Sequence, residues 1–137
     1  MDNYKRTIFS WSIYDFANQP FTTIILTFIY STFFVDFIVL DSQSGSVLWG
    51  RAVSISSIII ALLSPIMGAI ADSGGYRKIF LVFWTWVCII FSFLLYYPLH
   101  GDIFYSLLFF CIANIGFEMG GVFLNAYLPS ISPKNKI

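Results

Sequence analysis

Three stretches of this chain carry no charged residue for about as long as a helix needs to cross a bilayer. They are Phe16 to Val35, Ala52 to Ala71 and Ile79 to Gly101, each close to the roughly 20 residues that span a hydrocarbon core of about 30 Å. With 58% hydrophobic and 10% charged residues, against about one quarter charged in a soluble domain, water is not this chain's main solvent. A fourth run, Ile103 to Leu128, is interrupted by Glu118. A central carboxylate costs about 3 kcal/mol on insertion, while each Ile, Leu, Phe or Val returns about 0.3 to 0.6. Thirteen such residues outweigh one carboxylate. Lipid admits only helices or closed barrels as spanning structures, and no barrel-like alternation occurs. The fold class expected is therefore an all-α membrane protein of four transmembrane helices, over about 10–40, 48–72, 78–98 and 103–128, in a single integral membrane segment.

The placement of the basic residues gives an orientation. Lys5 and Arg6 precede the first helix, Arg77 and Lys78 lie between the second and third, and Lys134 and Lys136 follow the fourth, leaving Arg51 on the other side. Six of seven on alternate loops is what the positive-inside rule asks of a multi-pass chain in the cell (inner) membrane with both termini cytoplasmic. A balanced net charge argues against a nucleic-acid partner. Met1 to Leu40 does not read as a cleavable signal peptide, because its apolar stretch is too long and lacks a small-x-small cleavage site.

Short loops, DSQSGS (Asp41 to Ser46) and Ser73 to Tyr76, make consecutive helices antiparallel neighbours. Pro20 predicts a kink or unwound turn near residues 16 to 20. Trp11, Trp49, Tyr96, Tyr97 and Tyr127 are expected at span ends, at headgroup level. Ser54, Ser57, Ala61, Ser64 and Gly68 form a small-residue stripe on the second helix that would let another helix approach closely, and Gly116 and Gly120 form a G-x-x-x-G step on the fourth.

Polar groups inside the membrane are where function is sought, since each must face protein, water or a partner. Asn114, Glu118 and Asn125 recur at i, i+4 and i+11, on one face of the fourth helix. That stripe reads either as a cavity wall or as an internal hydrogen-bonded strut. Asp15, Asn18 and Thr22 align on the first helix, with the alternative that Asp15 and Asn18 satisfy backbone freed by Pro20. Asp36 is expected in solvent. Cys88 and Cys111 read as packing residues and His100 as a solvated loop residue; no metal or other cofactor is expected. The glycines at 74 and 75 lack the G-K-[ST] ending of a phosphate loop, and no catalytic constellation is present, so the chain does not read as an enzyme.

The loop GAIADSGGYRK (Gly68 to Lys78) raises a further point. Asp72 continues the small-residue stripe and sits at the negative end of a helix macrodipole, where a carboxylate wants a partner. Arg77 and Lys78 stand close enough to supply part of it. This stretch resembles the signature G-x-x-x-D-x-x-G-[RK]-[RK]-[RK] of the major facilitator superfamily: Gly68, Asp72, Gly75, Arg77 and Lys78 match, and Tyr76 replaces the first basic residue. WSIYDFANQPF (Trp11 to Phe21) and NIGFEMGGVFLNAYLP (Asn114 to Pro129) resemble segments of its vacuole-effluxer, or autophagy-permease-like, branch.

The resemblance implies a secondary transporter of about twelve helices, two six-helix halves rocking around a central cavity. Its first and fourth helices would line that cavity, with Asp15, Asn18, Asn114, Glu118 and Asn125 as pathway or coupling residues. The loop aspartate would act as a latch against the second half. Solute export, with amino acids as one candidate cargo, is the implied activity; the partners are the lipid bilayer, a small-molecule solute and a second polypeptide supplying the remaining helices. The chain stops at SPKNKI, just past the fourth helix, and so reads as a fragment, a split-gene product or a remnant. The alternative is a non-transporting four-helix bundle that self-associates. Substrate, coupling ion and direction are not written in these residues.

Overall fold

The computed structural model describes residues 2–126. The expected positions of Tyr127, Leu128, Lys134 and Lys136 lie outside the described residues. The first rod, here α1, runs without a break through α-helical Asp2–Pro20, π-helical Phe21–Phe28, α-helical Ile29–Phe33 and π-helical Phe34–Val39. It is followed by α2 (Ser42–Gly74), α3 (Arg77–Leu94) and α4 (Ile103–Asn125). Four spans, Lys5–Val39, Ser42–Gly74, Arg77–Leu94 and Ile103–Asn125, are long and apolar enough to cross a membrane. Across the described residues the protein is thus an all-α membrane chain of four spans.

The irregularity expected near Pro20 takes the form of a widened helix, not an unwound turn. Proline has no N–H and its ring crowds the carbonyl four residues back, and the α-geometry gives way to π-geometry at Phe21. Farther along, the Ser31 and Thr32 hydroxyls donate to Thr27 O and Phe28 O, each at 2.6 Å, so local side chains take up carbonyls along this stretch.

DSQSGS is a helix start where a loop was expected. Asp41 is extended (φ −136°) and its carboxylate accepts the Ser44 N–H at 3.1 Å, an N-cap that satisfies one of the orphan donors of the first turn. The connection from α1 shrinks to Leu40, in the left-handed region at φ 57°, and Asp41. Ser44, through its hydroxyl and backbone N–H, holds the Asp41 carboxyl below the usual carboxylate range. The cap is therefore at full strength above the ordinary aspartate pKa and is lost as pH falls through the lowered value. At the same end of the bundle the α3–α4 turn closes over α1: Gly101 N–H donates to Ile38 O at 3.2 Å, and His100 Nδ1 lies 3.2 Å from Phe37 O. His100 is exposed yet engaged with the backbone that ends α1.

Packing centres on α4. Buried residues make up 44% of its most apolar window, against none in α3, so α4 is the element the other three surround. Its tightest crossing is at Gly116, where an added Cβ would come within 2.8 Å of Cys88 N and 3.1 Å of Trp84 O. Only a glycine lets the two backbones pass at this spacing. The second glycine of the step, Gly120, meets side chains instead, with Tyr14 Oη at 3.5 Å from the added atom. Toward the far end Phe34, Ile38, Trp49, Ala52, Leu95 and Phe110 form a shared apolar core.

Two expectations about α2 are corrected here. Trp49 is a core residue, not an interfacial one: its ring centroid lies 4.1 Å from that of Phe110 and 5.5 Å from that of Phe34. Because α2 begins at Ser42, Trp49 is carried about 10 Å inside the span. The small-residue stripe, in turn, is not the packed face. Ser54, Ser57 and Ala61 are exposed, Gly68 has open space around it, and the buried positions are Gly45, Trp49, Ala52, Ser56 and Ala71. The larger Trp49 and the crossing of α1 at Gly45, where an added Cβ would lie 3.0 Å from Val35 Cα, turn the helix the other way. Tyr96 and Tyr97 are exposed, as the interfacial reading requires.

The glycine packing is testable. Gly116→Val should lower stability by about 1–3 kcal/mol through overpacking, whereas Gly121→Ala, with nothing within 4 Å of the added methyl, should be neutral or gain up to about 1 kcal/mol from helix propensity. Thermal unfolding in detergent measures both; equal losses at the two positions would contradict the crossing.

Candidate intramembrane polar site

The three polar residues of α4 occupy one side of the helix but meet different surroundings. Asn114 is buried, with 4% of its surface exposed, and its Nδ2 donates to Ser56 Oγ of α2 at 2.9 Å. Glu118 and Asn125 are exposed. Neighbouring positions show what flanks them. Phe117 stacks on Phe21 of α1 at 4.7 Å, and Phe123 stacks on Phe80 of α3 at 5.5 Å. Met119 receives a weak contact from the Ser64 hydroxyl of α2 at 3.7 Å. Glu118 thus opens on the side of α4 away from Gly116 and the α3 crossing, and no described residue offers it a hydrogen bond or an ion pair. The strut alternative for this stripe fits Asn114, which ties α4 to α2; Glu118 and Asn125 hold nothing together among the described residues.

On α1, Asp15 and Asn18 are half-buried. Asn18 lines a cleft of about 350 Å³ between α1 and α3, beside Pro20, Phe21, Cys88 and Ser92. Cys88 Sγ lies 4.0 Å from Ser92 Oγ there. No hydrogen bond or ion pair brings Asp15 or Asn18 to Asn114, Glu118 or Asn125 among the described residues. The structure therefore does not gather all five candidates into one cluster.

The α2–α3 loop is built around Arg77. Its Nε donates to Asp72 Oδ1 at 2.7 Å and its Nη1 to Ala126 O at 3.1 Å. One fork thus ties the end of α2 to the end of α4, and a cation sits where the negative end of each helix dipole favours it. Gly75 supplies the left-handed residue (φ 67°) that ends α2. Tyr76, where the signature has a basic residue, lays its ring where a Cβ on Gly74 would be, so Gly74 is required by its neighbour as much as by the turn. Gly68 and Lys78 make no special contact, and Asp72 and Lys78 are exposed.

Several contacts were not foreseen. Trp11 Nε1 donates to Leu124 O at 3.2 Å, a second side chain capping the end of α4. Tyr14 Oη pairs with Thr85 Oγ1, bridging α1 and α3 beside Gly120. Tyr30 Oη pairs with Ser106 Oγ at 2.8 Å. Ser56 could have been found, since it continues Gly45, Trp49 and Ala52 at steps of four, three and four. Tyr14 lies in the WSIYDFANQPF segment but its partner was not legible: Thr85 reads as an ordinary span residue until the crossing at Gly116 brings α3 and α4 together.

Comparison with known proteins bears on this arrangement. A curated relative from Bacillus subtilis (strain 168), an "Uncharacterized MFS-type transporter YxiO", is 29% identical over 141 aligned positions that take in 100% of this chain and 33% of the relative. The chain therefore spans about a third of that relative's length. No solved structure matches. The family model described as "Vacuole effluxer Atg22 like" matches residues 34–137, which include α2, α3, α4 and the Arg77 loop. By that match, covering well over half of its length, the chain belongs to the vacuole effluxer Atg22-like family.

Proposed function

We propose that this chain forms the N-terminal part of a major-facilitator-type secondary transporter, moving a small solute across the cell membrane by alternating access, with both termini in the cytoplasm. The observation that carries the reading is Glu118: a carboxylate about two-thirds of the way along the most enclosed helix, exposed, and without a described partner. A carboxylate in hydrocarbon is costly and is kept where it meets water, substrate or a moving proton. Asn125 extends the same open face toward the Arg77 loop. Asp15 and Asn18 supply polar groups on α1, the other helix expected to line the route. The remaining helices, in the same or a second polypeptide, close the cavity, and an amino acid is one candidate cargo.

Glu118 then couples proton movement to the solute. In the intact transporter, Glu118→Gln should abolish the pH dependence of uptake or efflux, at least a tenfold change over about two pH units, while leaving membrane insertion unchanged. Transport assays in vesicles at several pH values check this, and an unaltered pH dependence would sink the coupling role.

The Arg77 fork is read as the conformational latch. Arg77→Ala removes a charged donor from two partners, so stability should fall by about 1 kcal/mol after allowance for partial exposure. The rate of solute exchange should change in the same variant. A variant of parental stability and rate would leave the fork without a role. The exposed small-residue face of α2 favours a second reading, in which copies of this chain associate through Ala61 and its neighbours. An Ala61→Cys variant crosslinked in native membranes distinguishes them: homodimers without another polypeptide favour the self-associating bundle.

A further inference from the structure

We propose that Asn114 Oδ1 is the hydrogen-bond acceptor for Glu118 in its protonated form, so that the two side chains make a two-position proton switch on α4. The proposal rests on reading Glu118 as the proton-carrying group. Asn114 is more than nine-tenths buried, and while its Nδ2 is used by Ser56, its Oδ1 has no donor among the described residues. A buried acceptor without a donor is unfavourable and calls for a partner.

The other donors at this level are committed. Ser56 Oγ donates to Val53 O at 2.9 Å, and Cys111 Sγ to Ala52 O at 3.5 Å. Trp84 Nε1, also buried without a partner, belongs to α3 beside Gly116, about 200° around α4 from Asn114. Glu118 is different. It stands one turn C-terminal to Asn114, and helical side chains lean toward the N-terminus, so its carboxyl reaches back over residue 114. Residues four apart lie about 5–6 Å between Cβ atoms, close enough for such a bond.

Charge decides which position is taken. Ionised Glu118 has no proton to give and would set a carboxylate oxygen against the amide oxygen, so it stays in the open sector, as it is seen. Protonated Glu118 donates its O–H to Asn114 Oδ1 and withdraws against the α2–α4 seam. On release the proton passes to water in the open sector, and the carboxylate swings back. Away from the span ends, the other titratable groups on the surrounding elements are Tyr14, Asp15 and Tyr30 on α1, Cys88 on α3 and Cys111 on α4; α2 has none between Arg51 and Asp72. Tyr14 is paired with Thr85 and Cys111 with Ala52 O. The nearest basic residue on the packed helices that reaches α4 is Arg77, which is engaged with Asp72 and Ala126 O at the helix end, so no described cation is paired with Glu118.

Infrared difference spectra of the full chain in lipid vesicles, acid minus neutral, test this directly. The protonated Glu118 carbonyl band is the one missing in Glu118→Gln. In Asn114→Ala that band should move to higher frequency, having lost its hydrogen bond. Asn114→Ser, which keeps a hydroxyl for Ser56 but withdraws the amide oxygen, should behave alike and guards against a misfolded alanine variant. Ser56→Ala, with the Asn114 oxygen intact, should keep a hydrogen-bonded band. A Glu118 band that appears in the parent but is unmoved in both Asn114 variants overturns the switch while leaving Glu118 as a proton carrier. No Glu118 band at any pH at which the protein stays folded overturns both.

Discussion

A polar group in the hydrocarbon of a bilayer has no water to turn to, and the architecture of this chain follows from that constraint. Backbone groups are paired within helices, and where helices end or distort, side chains from elsewhere take over. Trp11 and Arg77 cap the carbonyls at the end of α4. Asp41 caps the start of α2, and the α3–α4 turn covers Phe37 and Ile38 at the end of α1. Inside the spans, Tyr14 and Thr85, Tyr30 and Ser106, and Asn114 and Ser56 pair across helices. Against that background the Glu118 carboxylate, like the buried Trp84 Nε1 and Asn114 Oδ1, has no described partner, and an ionisable group left unpaired in lipid is where function concentrates.

The close crossing at Gly116 gives Glu118 its setting. By drawing α3 against one side of α4, it assigns the opposite side to Asn114, Glu118 and Asn125. The neighbour on that side, α2, buries Trp49, Ala52 and Ser56 and touches Met119 through Ser64, while Glu118 and Asn125 stay exposed. At the end where the Arg77 fork joins α2 to α4, a shift of the loop is mechanically tied to the helix that carries the carboxylate. Such a link is what a transporter of the facilitator type needs if a latch and a coupling residue are to act together.

The four spans, the turn at Gly75 and the Asp72–Arg77 pairing were legible because they depend on composition and local turn chemistry. What depended on rotation and register was not. The small stripe of α2 looked like a packing face because spacing alone does not say which of two stripes wins; Trp49 and the crossing at Gly45 decided it. DSQSGS looked like a loop because serine and glycine favour turns, yet one aspartate in a capping position let the helix begin there. The polar stripe of α4 was visible, but its division into a buried amide and an open carboxylate required knowing where α2 lies. Pro20 announced an irregularity without specifying that it would be a wider helix.

The decisive property is whether the Glu118 face of α4 meets water. The most direct measurement is the reaction of single cysteines with a membrane-impermeant thiol reagent, in the full-length transporter with Cys88 and Cys111 replaced. Cysteine at 118 and at 125 should label, solute should protect 118, and cysteine at the buried position 114 should remain unlabelled. Labelling at 114 but not at 118, or reaction at 118 only with a lipid-soluble reagent, would contradict the assignment of this face to a solute pathway.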